Sequence, residues 1–324
     1  MKIAIPDDYQ DMVHRLRCAA LLEGHEVVRY REPARSEDEL VARLAGAEVV
    51  VAIRERVVFS RGVLARLPAL KLIALVGRHA TTIDYAACTE LGIRVATGQS
   101  QSIASPAELT VALMLAARRN IPLEADRMRR GEWPCTLSHR LRGTTLGILG
   151  LGKIGQLVAQ AGAGLGMNIL VWGGEGSRTR AAAAGAACAA DQADLFARAD
   201  VLSLHLRLTP QTRGIVAATD LARMKPTALL VNTARAELIE SGALERALRA
   251  GRPGYAAVDV YEHEPVTGGD HPLLRMSNVV CTPHLGWAEW DNFELYFGEA
   301  FEQIAAYARN APLRLANSEV LGRP

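Results

Sequence analysis

The sequence has few aromatic residues and almost no excess of charge of either sign. Aromatic residues make up 5% of its 324 residues, and the formal net charge is +2 at pH 7. So small a net charge gives no electrostatic footprint for nucleic acid, and no basic run is long enough to indicate a membrane surface. The composition, with 49% hydrophobic residues, is that of a globular chain, and the length suits two domains.

Cysteines are also few and are widely separated, with no C-x-x-C pair. They are Cys18, Cys88, Cys135, Cys188 and Cys281. This spacing favours a reducing compartment and predicts neither a disulfide framework nor a metal site. No apolar run approaches the roughly 20 residues of a membrane helix, and the first residues form a strand pattern rather than a signal peptide. We therefore expect a cytoplasmic protein.

Short β-like runs alternate with helical patterns in two series, which predicts an α/β fold with parallel sheets. The expected strands are Lys2–Ile5, His25–Tyr30, Glu48–Ile53, Lys71–Val76 and Ile93–Ala96 in the first series, and Thr145–Leu149, Asn168–Trp172, Val201–His205, Ala228–Asn232, Ala256–Val260 and Asn278–Cys281 in the second. Helices are expected over Asp8–Leu22 and, as a long amphipathic helix, over Ala288–Asn310. The second series has the size of a full dinucleotide-binding domain.

The stretch from Thr145 to Gly155 reads T-L-G-I-L-G-L-G-K-I-G, which is a short apolar strand, a glycine turn and the start of a helix. This order places a pyrophosphate on backbone N–H groups at a helix N-terminus. Gly150 would make the turn, Gly152 would let the backbone approach the phosphates, and Gly155 would let helix and strand pack closely. The strand before the motif and the helix after it favour dinucleotide binding over a purely structural turn.

Three polar residues stand just beyond late strands of the second series: Arg235 in N-T-A-R, Glu264 in Y-E-H-E-P and His284 in T-P-H-L-G. Parallel strands would bring them to the sheet edge that carries the glycine turn. An arginine can hold a carboxylate, a histidine can transfer a proton near neutral pH, and a carboxylate can fix the histidine tautomer. With a nicotinamide this set suffices for hydride transfer involving a 2-hydroxy acid. Each residue alone also fits a surface ion pair or a hydrogen-bonded loop.

These motifs together resemble the NAD(P)-dependent D-2-hydroxyacid dehydrogenase family, which includes D-3-phosphoglycerate dehydrogenases and glyoxylate/hydroxypyruvate reductases. The similarity includes G-L-G-K-I-G, S-I-A-S-P-A-E-L-T, M-K-P-T-A-L-L-V-N-T-A-R, A-V-D-V-Y-E-H-E-P and N-V-V-C-T-P-H-L-G. The resemblance implies a Rossmann dinucleotide-binding domain, over 102–286, inserted into a flavodoxin-like substrate-binding domain, over 1–101 and 287–324. It also implies a homodimer.

The resemblance assigns roles to individual residues. His284 would be the acid/base, Glu264 would orient it, and Arg235 would bind the substrate carboxylate. The implied cofactor contacts, beyond the three glycines and His284, are Lys153, Ile154, Leu206, Thr212, Thr233, Ala234, Asp259 and Gly286. Asp259 would contact the nicotinamide amide, although a strand-end residue that caps a turn fits it too.

On the substrate side, the family's carboxylate-binding loop corresponds to Val76–Ala80. Gly77, Arg78 and His79 would bind the substrate, and His79 replaces the usual second glycine. This loop must therefore adopt a less permissive backbone or bring side chains to the substrate. Arg54 and Arg56 follow the preceding strand and suit a second carboxylate or a phosphate, while a solvated charged loop is an equally good interpretation.

The cofactor's ribose contacts are ambiguous. Gly173 stands where NAD-binding members place an acid, and Glu175, Ser177 and Arg178 follow it. Glu175 could bind the 2′-hydroxyl of NAD(H), whereas Ser177 and Arg178 could bind the 2′-phosphate of NADP(H). We expect NAD(H), with NADP(H) as the alternative.

The expected function is therefore that of an oxidoreductase that interconverts a 2-keto acid and a D-2-hydroxy acid. A dinucleotide-sensing corepressor of the same fold is the alternative, because such a protein can keep the catalytic residues without turnover. The expected partner is a small 2-keto or 2-hydroxy acid, with no nucleic acid and no membrane.

Overall fold

The computed structural model describes residues 1–133 and 136–322, so Cys135 lies outside the described residues. The chain divides into two compact units. Unit 1 combines Met1–Gln101 with the segment from Glu289 onward, and unit 2 is Ser102–Ala288. In sequence, unit 2 is thus an insertion within unit 1.

Strands and helices alternate through most of the chain. The strands are β1 (Lys2–Ile5), β2 (Glu26–Arg29), β3 (Val49–Ile53), β4 (Leu72–Val76), β5 (Arg94–Thr97), β6 (Thr145–Leu149), β7 (Asn168–Trp172), β8 (Ala187–Cys188), β9 (Val201–Leu204), β10 (Leu229–Asn232), β11 (Tyr255–Val258) and β12 (Val279–Cys281). The helices are α1 (Glu37–Leu44), α2 (Arg61–Ala65), α3 (Tyr85–Glu90), α4 (Ala104–Arg118), α5 (Ile121–Arg129), α6 (Lys153–Gly164), α7 (Glu175–Ala183), α8 (Gln192–Arg198), α9 (Ala218–Arg223), α10 (Ala243–Arg249) and α11 (Trp290–Ala308).

Each unit contains one parallel sheet, as the two series of strands predict. The sheet of unit 1 has the order β2-β1-β3-β4-β5, and that of unit 2 has the order β12-β11-β10-β9-β6-β7-β8. In each sheet the chain first adds strands on one side of its first strand in sequence and then on the other. This switch lies between β1 and β3 in unit 1, as in flavodoxin-like sheets, and between β6 and β9 in unit 2, as in Rossmann sheets. The α/β class and the doubly wound architecture are confirmed.

The central strands are apolar along their whole length because helices cover both faces of each sheet. Every residue of β3 and of β4 is buried. Within unit 1, the long helix α11 packs against β4 and β5 through one apolar face, with Phe293, Phe297, Phe301 and Ile304 buried. Their spacing of three and four residues is that of a helix stripe, and each such side chain stabilises the fold by about 1.5–3 kcal/mol when buried. Among the described residues, no helix is long and apolar enough to cross a membrane.

The structure differs from the expected helix at Asp8–Leu22. Two short 3-10 helices, Val13–Arg15 and Arg17–Leu22, occupy that stretch instead. Asp7 and Asp11 adopt left-handed backbone conformations, with φ of 61° and 50°. The Asp8 carboxylate also accepts hydrogen bonds from the N–H groups of Met12 and Val13, which competes with regular helix bonding. Apolar periodicity alone could not reveal this competition.

Candidate active site

The glycine turn joins β6 to α6 in unit 2, and two of its glycines are required by close contacts. Gly150 has a φ of 94°, and a Cβ there would lie 2.7 Å from Leu206 Cδ2 and 2.9 Å from the His205 carbonyl oxygen. A Cβ on Gly155 would lie 2.5 Å from the Gly150 carbonyl oxygen. The strand, the turn and the first turn of α6 therefore pack too closely for any side chain at these two positions.

Gly152 has a different role, because a Cβ at this position would meet no atom within 4 Å. Gly152 is the N-cap of α6, and no side chain caps the helix there. The first backbone N–H groups of the helix, at Lys153 and Ile154, have no intrahelical acceptor. Open space in front of an uncapped helix N-terminus fits the pyrophosphate of a dinucleotide.

The segment after β7 contains the four residues expected at the cofactor ribose. A Cβ on Gly173 would lie 2.9 Å from the Ser177 hydroxyl oxygen, so this backbone leaves no room for the acid that NAD-binding members carry. Ser177 is buried, and its hydroxyl accepts a hydrogen bond of 3.1 Å from Leu151 N–H in the glycine turn. The Arg178 guanidinium lies over the Trp172 ring, 5.6 Å from its centroid. Glu175 is exposed in the first turn of α7.

Arg180 is the residue of this segment that the sequence analysis missed. Its Nε donates a 2.6 Å hydrogen bond to the Leu151 carbonyl oxygen, which fixes the guanidinium against the glycine turn. Nη1 lies 3.2 Å from the position that a Cβ on Gly176 would occupy. The spacing from Ser177 to Arg180 places both side chains on one face of α7, and this signal could have identified Arg180.

His284 and Glu264 form a direct pair beyond the ends of β12 and β11. His284 Nδ1 lies 2.5 Å from Glu264 Oε2, and the other carboxylate oxygen accepts a 3.0 Å hydrogen bond from Tyr261 N–H. Burial raises the pKa of the Glu264 carboxyl, but the hydrogen bond and charge of His284, the Tyr261 N–H and the charge of Arg235 together lower it below its usual value of 4.5. Glu264 is therefore ionised at neutral pH and can fix the tautomer of His284.

The carboxylate of Asp259 holds the loop that carries His284. It is fully buried and accepts hydrogen bonds from the Thr282 hydroxyl at 2.6 Å, Leu285 N–H at 2.7 Å and Gly286 N–H at 2.9 Å. Within this loop His284 has a φ of 52°, a left-handed conformation that is costly for a residue with a side chain. Burial raises the pKa of Asp259, and these hydrogen bonds and the charge of His284 oppose that rise. The expected contact of Asp259 with a nicotinamide amide stays a prediction.

Arg235 follows β10 in a short turn that Asn232 organises. The Asn232 side chain is buried, accepts a hydrogen bond from Ala234 N–H and donates one to the Arg235 carbonyl oxygen. Arg235 Nη1 donates to the Ala234 carbonyl oxygen at 2.8 Å. The turn thus places the Arg235 guanidinium near Glu264, whose pKa its charge helps to lower.

Two further residues that were expected to contact the cofactor, Thr212 and Thr233, follow β9 and β10. The Thr233 hydroxyl pairs with that of Thr110 in α4 at 2.7 Å. The Thr212 hydroxyl donates to the Arg207 carbonyl oxygen and accepts from Thr209 N–H. These hydroxyls therefore shape the loops around β9 and β10. Within the described ranges, no group of three or more His, Cys, Asp or Glu residues could hold a metal ion.

In unit 1, the residues expected to bind substrate follow β3 and β4. Gly77 has a φ of 132° and lies beside Arg54, whose Nη1 is 3.4 Å from the position of a Gly77 Cβ. Arg78 and His79 are exposed, and the His79 ring stacks on Tyr85 with 5.4 Å between centroids. The Tyr85 hydroxyl accepts a hydrogen bond from Ala80 N–H. The loop accommodates His79 in place of glycine by packing its side chain on this tyrosine.

Comparison with known proteins places this geometry in a family. Residues 111–286 match the family model described as "D-isomer specific 2-hydroxyacid dehydrogenase, NAD binding domain". The chain belongs to the D-isomer specific 2-hydroxyacid dehydrogenase family. The matched range contains the glycine turn, Arg235, Asp259, Glu264 and His284. The matched model describes an NAD-binding domain, and the open N-terminus of α6 suits the pyrophosphate of such a cofactor. Unit 2 is therefore a nicotinamide dinucleotide-binding domain.

Individual relatives agree with the family assignment. The chain is 40% identical to D-3-phosphoglycerate dehydrogenase of Methanocaldococcus jannaschii over 253 residues, covering 78% of this chain and 48% of the relative. It is 38% identical to glyoxylate reductase of Aeropyrum pernix over 269 residues, covering 80% and 79%. A crystal structure of phosphoglycerate oxidoreductase from Vibrio cholerae has a TM-score of 0.93 and 48% identity, covering 96% of this chain and 100% of that one. The chain thus spans about half the length of the phosphoglycerate dehydrogenase.

Gly155 and Gly152 provide a matched test that separates a role in packing from a role in dinucleotide binding. We expect Gly155→Ala to destabilise the fold by about 1–3 kcal/mol, because its Cβ would overlap the Gly150 carbonyl oxygen. Gly152→Ala should cost less, at most about 1 kcal/mol, since its Cβ enters open space and only the N-cap preference for glycine over alanine is lost, yet it should weaken dinucleotide binding. Urea unfolding and cofactor titration measure the two effects. Equal stability of both variants would contradict the packing argument.

The lowered pKa of Glu264 has a consequence for stability. A carboxyl whose pKa is lower in the folded state stabilises the fold above its unfolded pKa of 4.5, and this contribution disappears as the pH falls through the folded value. We expect Glu264→Gln to be less stable than the unmodified protein at pH 6, with the difference shrinking steadily below about pH 4.5. Denaturant unfolding of both proteins between pH 3 and pH 7 measures it. A difference independent of pH would show that the ionised pair with His284 contributes nothing.

Proposed function

We propose that this protein reversibly reduces a 2-keto acid to a D-2-hydroxy acid. The observation that carries the proposal is the 2.5 Å contact between His284 Nδ1 and Glu264 Oε2, beside Arg235 and at the same sheet edge as the glycine turn. Reduction of a 2-keto acid requires a proton donor for the carbonyl oxygen and a cation for the carboxylate, and an oriented histidine beside an arginine can supply both. The names of the dehydrogenase and reductase relatives also favour an enzyme over the dinucleotide-sensing corepressor.

The proposed chemistry uses Nε2 of His284, because Glu264 contacts the other ring nitrogen, Nδ1. Because Nδ1–H donates to the carboxylate, the proton for the substrate resides on Nε2, and the nearby negative charge stabilises the imidazolium. During reduction Nε2 transfers its proton to the carbonyl oxygen, and the neutral imidazole accepts that proton in the reverse direction. Arg235 binds the substrate carboxylate and polarises the neighbouring carbonyl group. A bound nicotinamide would supply or accept the hydride at C2.

We further propose that the sheet edge of unit 1 binds anionic groups of the substrate. The backbone N–H groups of Gly77, Arg78 and His79 suit a carboxylate, and Arg54 adds a guanidinium beside Gly77. Arg54 would select keto acids that carry a second carboxylate or a phosphate. Support comes from the short distance between Arg54 and Gly77 and from the names of the phosphoglycerate relatives.

For the cofactor we propose NADP(H), which departs from the expectation of NAD(H). Gly173 has no room for the acid that would bind a 2′-hydroxyl. The segment also contains two arginines, Arg178 and Arg180, but a single acid, Glu175, which is exposed. Arg180 is fixed on the glycine turn, and Arg178 lies against Trp172. Two guanidinium groups near the end of β7 suit a 2′-phosphate better than a neutral hydroxyl.

We also propose an assembly and a cellular location for this protein. Large apolar side chains are exposed along the stretch that contains α5, namely Ile121, Met128, Trp133 and Leu137, the last at 95%. Such a concentration of exposed apolar area suits a contact with a second copy of the chain, so we propose a homodimer. The four described cysteines, Cys18, Cys88, Cys188 and Cys281, are free, which supports a reducing, cytoplasmic location.

Replacement of the catalytic histidine tests the proposed reaction. We expect His284→Asn to lower kcat for reduction of 2-keto acids by about 10²–10⁴-fold, because the general acid is lost. Asparagine tolerates the left-handed backbone at this position, so the loop and dinucleotide binding should persist. His263→Asn, in the exposed loop before Glu264, is the matched control and should keep full activity. Steady-state rates with glyoxylate, hydroxypyruvate, pyruvate and phosphohydroxypyruvate measure the effect, and undiminished turnover would exclude His284 from the mechanism.

Replacement of Arg180 tests the cofactor assignment. We expect Arg180→Gln to raise the KM for NADPH about tenfold and to change that for NADH by less than about twofold, because one charge-assisted contact with the 2′-phosphate is lost. Glu175→Gln removes the opposing charge on the same helix and should not weaken NADPH binding. Initial rates with both cofactors measure the ratio. A preference of the unmodified protein for NADH would contradict the assignment.

A further inference from the structure

The turn after β3 contains Arg54, Glu55 and Arg56, and its backbone has an uncommon conformation. Arg54 has a φ of 54°, in the left-handed region that residues with side chains seldom adopt. The turn closes through a 3.2 Å hydrogen bond from Arg56 N–H to the Ile53 carbonyl oxygen. A strained residue persists where its surroundings hold it, so the contacts of the two following residues are informative.

Arg56 attaches the turn to the neighbouring strand β1. Its Nη1 donates to the Asp7 carbonyl oxygen at 2.5 Å, and its Nη2 donates to Gln10 Oε1 at 2.9 Å. The guanidinium also lies 4.4 Å from the centroid of the Tyr9 ring. Two directed hydrogen bonds and a stacking contact define the position and the tilt of this planar group.

Glu55 attaches the same turn to the loop after β4, on the other side. Its carboxylate accepts a 2.9 Å hydrogen bond from the Thr81 hydroxyl and a longer one from Thr81 N–H. Arg54, between these attachments, lies over the Tyr296 ring of α11 at 5.8 Å and reaches Gly77 with Nη1. The contacts of Glu55 and Arg56 therefore hold the backbone from which the Arg54 side chain extends towards Tyr296 and Gly77.

Arg56 lies where the topology would place a ligand of unit 1, but neighbouring residues already contact its guanidinium there. Ligands of open α/β sheets bind where the strand order reverses, which is between β1 and β3 in unit 1. Asp7, Tyr9, Gln10 and Arg56 occupy that point with contacts to one another. The Asp7 residue is buried there. The next position along the edge, between β3 and β4, is where Arg54 and Gly77 meet.

We propose that Arg56 is a positioning residue, which holds Arg54 in place through Asp7 and Gln10 for an anionic group that the substrate carries in addition to its 2-keto carboxylate. This inference rests on the proposed keto-acid reductase function. Arg56 acts through the turn and does not touch the substrate. Removing it should therefore affect only substrates whose second anion binds Arg54.

The test compares 3-phosphohydroxypyruvate, which carries a phosphate, with glyoxylate, which has a single carboxylate. We expect Arg56→Met to raise the KM for phosphohydroxypyruvate about tenfold, because misplacement of Arg54 by an ångström costs a large part of its contact. The KM and kcat for glyoxylate should change by less than about twofold. Gln10→Met removes one of the two hydrogen bonds and should give the same selective effect at a smaller size. Arg66→Met, at an exposed ion pair with Asp38, is the matched control.

A double variant separates positioning from direct contact. Arg54→Gln combined with Arg56→Met should have the same KM for phosphohydroxypyruvate as Arg54→Gln alone, because Arg56 acts only through Arg54. Additive effects would mean that Arg56 contacts the substrate, and equal losses with glyoxylate would mean a general structural role. Each of these results overturns the inference, as does an unmodified protein with no preference for the phosphorylated substrate. Absence of turnover with every keto acid would instead overturn the proposed function.

Discussion

Parallel strand pairing is the constraint on which the candidate site depends. In a parallel sheet all strands end at the same edge, so residues far apart in sequence become neighbours wherever each follows a strand. In unit 2 this edge gathers the glycine turn after β6, Arg235 after β10, Asp259 after β11 and His284 after β12. In unit 1 the same rule gathers the turn after β3 and the Gly77 loop after β4. Helices on both faces protect the sheets, while the edges remain available for polar groups.

Costly backbone conformations occur at these edges, and hydrogen bonds from neighbouring side chains maintain them. His284 and Arg54 both adopt left-handed conformations. Asp259 holds the loop of His284 with three hydrogen bonds to one buried carboxylate, whereas Glu55 and Arg56 hold the turn of Arg54 from two sides. In each case one polar group fixes the backbone of another that we propose to contact the ligand. Such support reduces the reorganisation required when a ligand binds.

Close packing and open space distinguish glycines that look alike in the motif. Gly150 and Gly155 are required because strand, turn and helix approach each other, and Gly152 faces space in front of the helix N-terminus. Gly173 belongs to the first kind, since Ser177 occupies the volume that an acidic side chain would need. The proposed choice of cofactor depends on this packing, because Ser177 and Arg180 both hydrogen-bond to Leu151 in the glycine turn.

The sequence by itself determined the α/β class, the two series of strands, the glycine turn and the residues that follow the late strands. These features depend on local periodicity and on the order of elements along the chain, which sequence patterns record directly. Only the tertiary structure decided that 3-10 helices replace the helix expected at Asp8–Leu22, that Arg180 lies on the glycine turn, and that Arg56 is attached to Asp7 and Gln10. These outcomes depend on contacts between side chains of different strands and helices. Because such partners are far apart in the sequence, no local sequence pattern reveals them.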